Sequence, residues 1–195
     1  MNERFNDSTI QHPLVIGLTG PNAAGKGEVA QALKKLGFSY HSLSDAVREE
    51  ALALGRTTGR DDLILTGNEL RRGGGPGILA QRIIPRLCGR DVVDSIRNPA
   101  EVAALRSVPG FTLLGVTAPT EVRYRRALKR GGRGDAVVDL ASFLEKEAEE
   151  NTADPAAQQL SATFALADRT LVNDGALDAL RAAVASLVSE LEQAD

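Results

Sequence analysis

Apolar and polar positions along this chain fall into blocks whose period switches repeatedly between that of a buried strand and that of a helix. PLVIGLTG (13–20) is a short apolar run and predicts a strand covered on both faces. Over 25–36, Val29, Ala32, Leu33 and Leu36 recur at helical spacing, and Gly37 closes the helix. FSYHSL (38–43) predicts a second strand. SDAVREEALALG (44–55) predicts a helix with Ser44 or Asp45 as N-cap and Gly55 as its end. Helices are expected over 61–72 and 77–88, separated by the loop GGGPG. RDVVDSI (90–96) predicts a third strand, and PAEVAALRSV (99–108) a helix with Pro99 in its first turn. FTLLGVTA (111–118) predicts a fourth strand, followed by a helix to about 130 and a glycine-rich break. Helices near 138–150 and 155–166, a fifth strand RTLVN (169–173) and the amphipathic helix LDALRAAVASLVSELE complete the chain.

Five strands with helices in every connection predict an α/β protein with an open parallel sheet covered on both faces. In such sheets ligands bind beyond the carboxyl ends of the strands. Chemistry-bearing residues fall there: Gly20 to Gly27 after strand one, Asp45 and Arg48 after strand two, Asp94 and Arg97 at the end of strand three. The 195 residues suit one domain, expected over 13–195, preceded by a polar tail over 1–12.

Composition narrows the classes. The 43% hydrophobic fraction is ordinary for a globular protein, and no apolar run is long enough to span a bilayer. One cysteine, Cys88, excludes a disulfide framework and a cysteine zinc cluster, and two histidines disfavour a histidine-rich metal site. A reducing cytoplasm fits these features. The net charge of −3 argues against direct nucleic-acid binding. Against that balance, EVRYRRALKRGGRGD concentrates Arg123, Arg125, Arg126, Lys129, Arg130 and Arg133. By charge alone this is a solvated helix face with i,i+4 pairs.

GPNAAGKG, between a buried strand and a helix, is a glycine-rich loop able to wrap its backbone N–H groups around phosphate. Gly20 and Gly25 permit close backbone approach, and Asn22, Ala23 and Ala24 carry the intervening amides. Lys26 is placed to reach the β- and γ-phosphates of ATP. Gly27 stands where the standard motif has a Ser or Thr hydroxyl for Mg²⁺, so the metal would rely on phosphate oxygens, water and a carboxylate elsewhere.

This loop resembles that of the adenylate-kinase-like nucleoside monophosphate kinases, in which glycine commonly follows the lysine. That family usually has threonine next, and here Glu28 takes the position. The resemblance extends to SDAVR, which matches an Asp-x-x-Arg step, and to DSIR, which matches an Asp-Gly-x-(Pro)-Arg pattern. It implies a P-loop NTPase fold of three α/β/α layers, with acceptor-binding helices at about 44–88 and a short lid at about 126–138. It further implies that Asp45, Arg48 and Arg97 bind the acceptor, and that Asp94 faces the metal shell or the phosphoryl acceptor. Lid arginines Arg126, Arg130 and Arg133, in no fixed order, would stabilise transferring charge. GRTTGRDDLILTGNELRRGGGPGILAQRI would be the acceptor insertion, in which Thr66, Asn68, Arg71 and Arg72 either touch a base or sugar or face outward from packed helices. LADRTLVNDG resembles the last strand and loop of this family and of dephospho-coenzyme A kinases, placing Asn173 near the nucleotide base or in a plain Asn-Asp-Gly turn. GKGEVA, SDAVREEA, DSIRNPAEV and ALADRTLVNDG, in this order, look like a set of P-loop proteins described as dephospho-coenzyme A kinase-like or nucleotide kinase-like.

The expected activity is transfer of the γ-phosphoryl of ATP, with Mg²⁺, to a small-molecule acceptor, a nucleoside or deoxynucleoside 5′-monophosphate. Lys26, Asp94, Arg97, Arg126 and Arg130 would carry catalysis. Dephospho-coenzyme A is the alternative acceptor. A non-catalytic nucleotide-binding switch, kept open by Gly27 and Glu28, is the alternative from another class.

Overall fold

In the computed structural model, residues 13–130 and 139–194 are described. Five strands, β1 (Leu14–Thr19), β2 (Ser39–Ser42), β3 (Arg90–Asp94), β4 (Phe111–Thr117) and β5 (Arg169–Val172), form one parallel sheet in the order β2-β3-β1-β4-β5. β1 lies at the centre, with Gly17 in register with Val93 on one side and Leu113 on the other. Order reverses around β1, so the crevice beyond its carboxyl end is the expected ligand position.

Alternation along β1 divides the core in two. Leu14, Ile16 and Leu18 face α1 (Lys26–Lys35) and α9 (Leu177–Ala194), packing with Val29, Leu33, Val184 and Val188. Val15 faces the opposite layer of α2 (Leu43–Ala53), α4 (Ile78–Ile83) and α5 (Pro99–Leu105), packing with Leu43, Leu79 and Val102. All six β1 residues are buried, which is why this strand reads as an unbroken apolar run. The remaining helices are α3 (Arg60–Gly74), α6 (Thr120–Arg130), α7 (Leu140–Ala148) and α8 (Leu160–Phe164).

Several boundaries differ from those the pattern predicts. α2 starts at Leu43 with Ser42 at its N-cap, and no side chain makes the capping bond expected of Ser44 or Asp45. The helix expected to 88 ends as α at Ile83 and as one 3-10 turn, Ile84–Arg86, because Pro85 cannot donate an N–H. The helix expected from 155 begins at Leu160. Asp154 turns the preceding chain by accepting from Ala156 N at 2.9 Å, and Asn98 Nδ2 captures the carbonyls of Pro155 and Ala157 at 2.8 and 2.9 Å. The lid expected at 126–138 begins inside α6, and its span 131–138 lies outside the described residues.

Candidate functional site

The glycine-rich loop leaves the carboxyl end of β1 and enters α1. Its shape depends on two glycines. Gly20 has φ +130°, and a Cβ there would lie 2.0 Å from the carbonyl oxygen of Val116. Gly25 has φ +106°, and a Cβ there would lie 2.0 Å from Asn173 Nδ2. Ala23 between them also has positive φ, +58°. Lys26 folds back over the loop, donating from Nζ to the carbonyls of Gly20 at 2.6 Å and Pro21 at 2.9 Å. Its ammonium is thus held over the loop, whose shape suits a phosphate. Asn22 is exposed and turns its Oδ1 onto Ala23 N at 2.9 Å. Gly27 and Glu28 are exposed in the first turn of α1, and a Cβ at Gly27 would meet nothing within 4 Å.

Asn173, expected near the nucleotide base or in a plain Asn-Asp-Gly turn, lies against the phosphate loop. It is buried, donates from Nδ2 to Ala24 O at 2.8 Å, and accepts from Arg126 Nη2 at 3.2 Å. Both ends of its amide are spent on holding the loop, and its closeness to Gly25 leaves no room for a side chain there. Arg126 also donates to Ala24 O at 3.4 Å, so this arginine lies against the phosphate loop. Arg130 ends α6, and Arg133 lies outside the described residues.

Beside β1, β3 ends at Asp94. The following turn is stitched to β1: Ile96 N donates to Leu18 O at 3.3 Å, and Thr19 Oγ1 donates to Ile96 O at 3.0 Å. Asp94 accepts from Ser95 N at 2.6 Å and from the Tyr40 hydroxyl at 3.2 Å. Burial, then the adjacent Asp94 charge, push the Tyr40 phenol up to about 12, so it stays a donor across the physiological range. Asp45 and Arg48 pair with each other on the exposed start of α2, a contact of small energetic consequence.

Arg97 is aimed by one nitrogen. Its Nη1 donates to Gln158 Oε1 at 2.9 Å and to Glu150 Oε1 at 3.2 Å. Among the described residues, Nε and Nη2 make no hydrogen bond, and a third of the side chain (33%) is exposed. A guanidinium fixed at one corner and open at the others suits bidentate capture of an anion.

Arg71, expected at the acceptor, is instead 4% exposed and gives Nε and Nη2 to Glu101 Oε1 at 3.1 and 2.8 Å. Glu101 is fully buried, and its Oε2 accepts from the backbone N–H groups of Arg97 at 2.9 Å and Asn98 at 3.1 Å. Arg71 therefore supports the Asp94–Asn98 turn through Glu101. Of the other insertion residues, Thr66 is buried and accepts from Arg56 Nη1 at 2.9 Å, Asn68 Oδ1 is buried with no hydrogen-bond partner among the described residues, and Arg72 pairs with Asp154. A cleft of about 360 Å³ opens between α2, α3 and α4, lined by Thr66, Leu70 and Ile78 and bordered by the Glu50–Arg82 pair.

Sequence reasoning missed four supports. Arg123 is buried, donates to Asn22 O at 3.4 Å and forks onto Glu147 of α7. Glu150 and Gln158 hold Arg97, and Glu101 holds its backbone. Only Glu101 left a local signal: Asn98 and Glu101 have the spacing of a capping box, which they form. The partners of Arg97 and Arg123 lie tens of residues away, with no pattern to join them.

Metal and nucleotide can be tested against these groups. Among the described residues, no cluster of three His, Cys, Asp or Glu side chains could hold a metal ion unaided. Mg²⁺ bound with phosphates commonly takes only one or two protein carboxylates, so Asp94 with the loop fits the ion as a partner of bound nucleotide. No described helix is long and apolar enough to cross a membrane.

A parallel sheet ordered 2-3-1-4-5, a phosphate loop after its central strand, and a carboxylate and arginine after the adjacent strand together define the P-loop kinase-like α/β fold. Over residues 16–150 the chain matches the family described as AAA domain. It is 35% identical over 170 residues to a UPF0200 protein of Pyrococcus abyssi, covering 83% of this chain and 88% of that one. The chain belongs to the UPF0200 family. Among solved structures, it is similar to shikimate kinase from Bacteroides thetaiotaomicron, with TM-score 0.61, 14% identity, and 90% and 98% of the two chains covered. A gluconokinase from Sinorhizobium meliloti superposes with TM-score 0.52, 20% identity, and 93% and 97% coverage. These likenesses are of fold.

Proposed function

We propose that this protein is a small-molecule kinase that moves the γ-phosphoryl group of ATP to a nucleoside or deoxynucleoside 5′-monophosphate. One observation carries the reading. Lys26, seated on its glycine loop at the end of β1, is neighboured by Asp94 and a half-open Arg97 at the end of β3, in a turn bonded directly to β1. Donor and acceptor phosphates would be held side by side, as in-line transfer requires.

The amides of residues 20–27 cradle the nucleotide phosphates, and Lys26 leaves the Gly20 and Pro21 carbonyls to follow charge on the γ-phosphoryl. Arg97 grips the acceptor phosphate through its open nitrogens, while Glu150 and Gln158 keep it oriented. Arg48, freed from an exposed pair with Asp45, is the second acceptor cation. Arg126 lies against Ala24 and is positioned to neutralise charge on the donor side. Asp94 would hold Mg²⁺, which neutralises phosphate charge when bound. The P–O bond to the leaving diphosphate breaks as the bond to an acceptor phosphate oxygen forms, and proton transfer is not needed.

The test is ADP formation from Mg·ATP against a panel of all ribo- and deoxynucleoside monophosphates, with dephospho-coenzyme A included and Lys26→Ala as control. ADP rising with one acceptor and lost in the control supports the reading. ATP binding with no acceptor-dependent ADP overturns it in favour of a nucleotide-binding switch. Turnover with dephospho-coenzyme A alone changes the acceptor.

A further inference from the structure

Three hydroxyls meet where β2 ends (Ser42), α2 begins (Ser44) and β3 has just ended (Ser95); Ser42 also bonds the Tyr40 side chain, and none of the three is used in the transfer just described. Ser42 Oγ lies 2.9 Å from Ser44 Oγ, while Ser95 Oγ is 3.4 Å from Ser44 Oγ and 3.5 Å from Ser42 Oγ. Hydroxyl–hydroxyl bonds normally close to about 2.7–2.8 Å. Only the first contact is closed, and Ser95 stands off from both partners. None of the three caps α2, whose N-cap residue Ser42 makes no side-chain capping bond.

Ser95 is also held at φ +67°, where glycine sits without strain and an L side chain does not. Among the described residues, glycine fills seven positive-φ positions, and only Ala23 and Ser95 are exceptions. Ala23 belongs to the phosphate loop. Glycine at 95 would relieve the strain, and serine there adds a Cβ that costs strain and a hydroxyl that the fold leaves loosely bonded. Strain of this kind persists at sites that use it.

We propose that Ser42, Ser44 and Ser95 form the subsite that reads a sugar hydroxyl of the acceptor. The inference rests on the kinase reading above and adds which part of the acceptor is recognised here. The cluster is uncharged, and each member both donates and accepts, so it complements an alcohol and not a phosphate. The phosphate has Arg97 and Arg48 instead. Asp94 beside the cluster accepts from Tyr40 and Ser95 N and has its remaining lone pairs assigned to Mg²⁺ in this reading, so the serines are the uncharged partners left to the incoming hydroxyl. A ligand hydroxyl seated over the face of the three oxygens, and not in the gaps between them, would give Ser95 a partner at normal distance. The specificity that follows is for ribonucleotides over an analogue lacking the hydroxyl, because an analogue without it forfeits the bonds to Ser95 and its neighbours.

Ser95→Gly and Ser95→Ala test this with steady-state kinetics on ribo-, 2′-deoxy- and 3′-deoxynucleoside monophosphates of one base, alongside thermal melts. Ser95→Gly should melt no lower than the parent while its KM for the ribonucleotide rises about tenfold, the scale of one neutral hydrogen bond. KM for ATP should stay the same. KM for one of the deoxy forms should move less than about twofold, so the ribo-to-deoxy preference collapses at the 2′ or the 3′ position. Ser95→Ala should give the same kinetic change with the strain retained. Equal KM shifts for all three acceptors, a parent with no ribo-to-deoxy preference, or a lowered melting temperature with general loss of kcat overturns the subsite. If the parent turns over no monophosphate at all, the kinase reading fails and takes this inference with it. Normal turnover with an unaltered preference in both variants removes this inference alone.

Discussion

The two halves of the site are built by different means. On the donor side, the loop from Gly20 to Gly27 is shaped by backbone dihedrals, and its neighbours approach so closely that two positions admit only glycine. On the acceptor side, the turn from Asp94 to Asn98 has one positive-φ residue, Ser95, and is otherwise held by distant side chains: Glu101 with Arg71 beneath it, Glu150 and Gln158 on Arg97, and Asn98 on the 155–157 carbonyls. The donor loop takes its shape mainly from its own backbone, with Asn173, Arg126 and Arg123 bracing it through its carbonyls. A site fixed by ion pairs is as rigid as its partners. The donor phosphates should thus meet a preformed cradle, and the acceptor a surface that other elements can adjust. α7 spans both halves, because Glu147 reaches Arg123 at the loop and Glu150, just beyond its end, reaches Arg97.

The largest effect should come from adding one carbon to the donor side. Gly20→Ala places a Cβ 2.0 Å from the Val116 carbonyl, a backbone atom of the central sheet that cannot give way, at φ +130°. A loss above about 4 kcal/mol is expected, comparable with the whole stability of many domains. Urea unfolding measures it. A stable, ATP-binding Gly20→Ala protein would show that the loop is adaptable and erase the contrast.

Next is the acceptor side's central support. Glu101→Ala leaves Arg71 charged and buried and two N–H groups without acceptors, a loss of about 3–5 kcal/mol. Adding Arg71→Met should restore much of this, because removing both charges also removes the desolvation cost. In the double variant, ATP binding should match the parent while acceptor affinity falls, as the Arg97 backbone has lost its anchor. Equal weakening of both ligands would mean that the halves are one unit. Calorimetric titration of the double variant with each ligand distinguishes these outcomes.

The same division explains what was legible in the sequence. The phosphate loop could be read because strand, glycines, lysine and helix are contiguous, and local geometry alone dictates those residue types. The parallel sheet followed from the alternation of elements and the buried β1. Asp94 and Arg97 could be placed at a strand end, but not their supports, since nothing local links Arg97 to Glu150 or Arg71 to Glu101. Arg71 reads as a ligand contact because a polar residue near a predicted site does so until its burial is known; it is buried and spent on Glu101. Asn173 could be placed near the loop, but not its bonds to Ala24 and Arg126. At Pro85 a missing N–H ends a helix that periodicity would continue, and at Pro155 tertiary hydrogen bonds delay the start of one until Leu160.

A smaller effect concerns Tyr40, which joins β2 to Asp94. Its phenol is raised from 10.0 to about 12, first by burial and then by the Asp94 charge. The folded state therefore keeps the proton that the unfolded chain releases. The stabilisation is complete below pH 10 and is lost as pH rises from 10 toward about 12. Tyr40→Phe should flatten that alkaline fall while changing stability at pH 7 by less than about 1 kcal/mol, because the hydroxyl is partly exposed. Melts across pH 8 to about 12 test it. An unchanged alkaline slope in the variant would place the titration elsewhere and leave Asp94 without this link to β2.

The smallest effect in stability, and the sharpest in chemistry, belongs to Gly27. It stands in the first turn of α1, where an added Cβ would meet nothing within 4 Å, so packing does not exclude a side chain there. Gly27→Ala should raise stability by a few tenths to about 1 kcal/mol, through helix propensity and a less flexible unfolded chain. Gly27→Ser should be close to neutral in stability but adds a hydroxyl at the motif position that binds Mg²⁺. If Asp94, water and phosphate oxygens hold the ion in the parent, the serine variant should reach half-maximal ADP formation at several-fold lower Mg²⁺, with the alanine variant unchanged from the parent. Were both variants instead to lose activity equally, the bare backbone at 27 would itself be part of the phosphate cradle, and the donor side would require glycine at a third position, for ligand approach and not for packing.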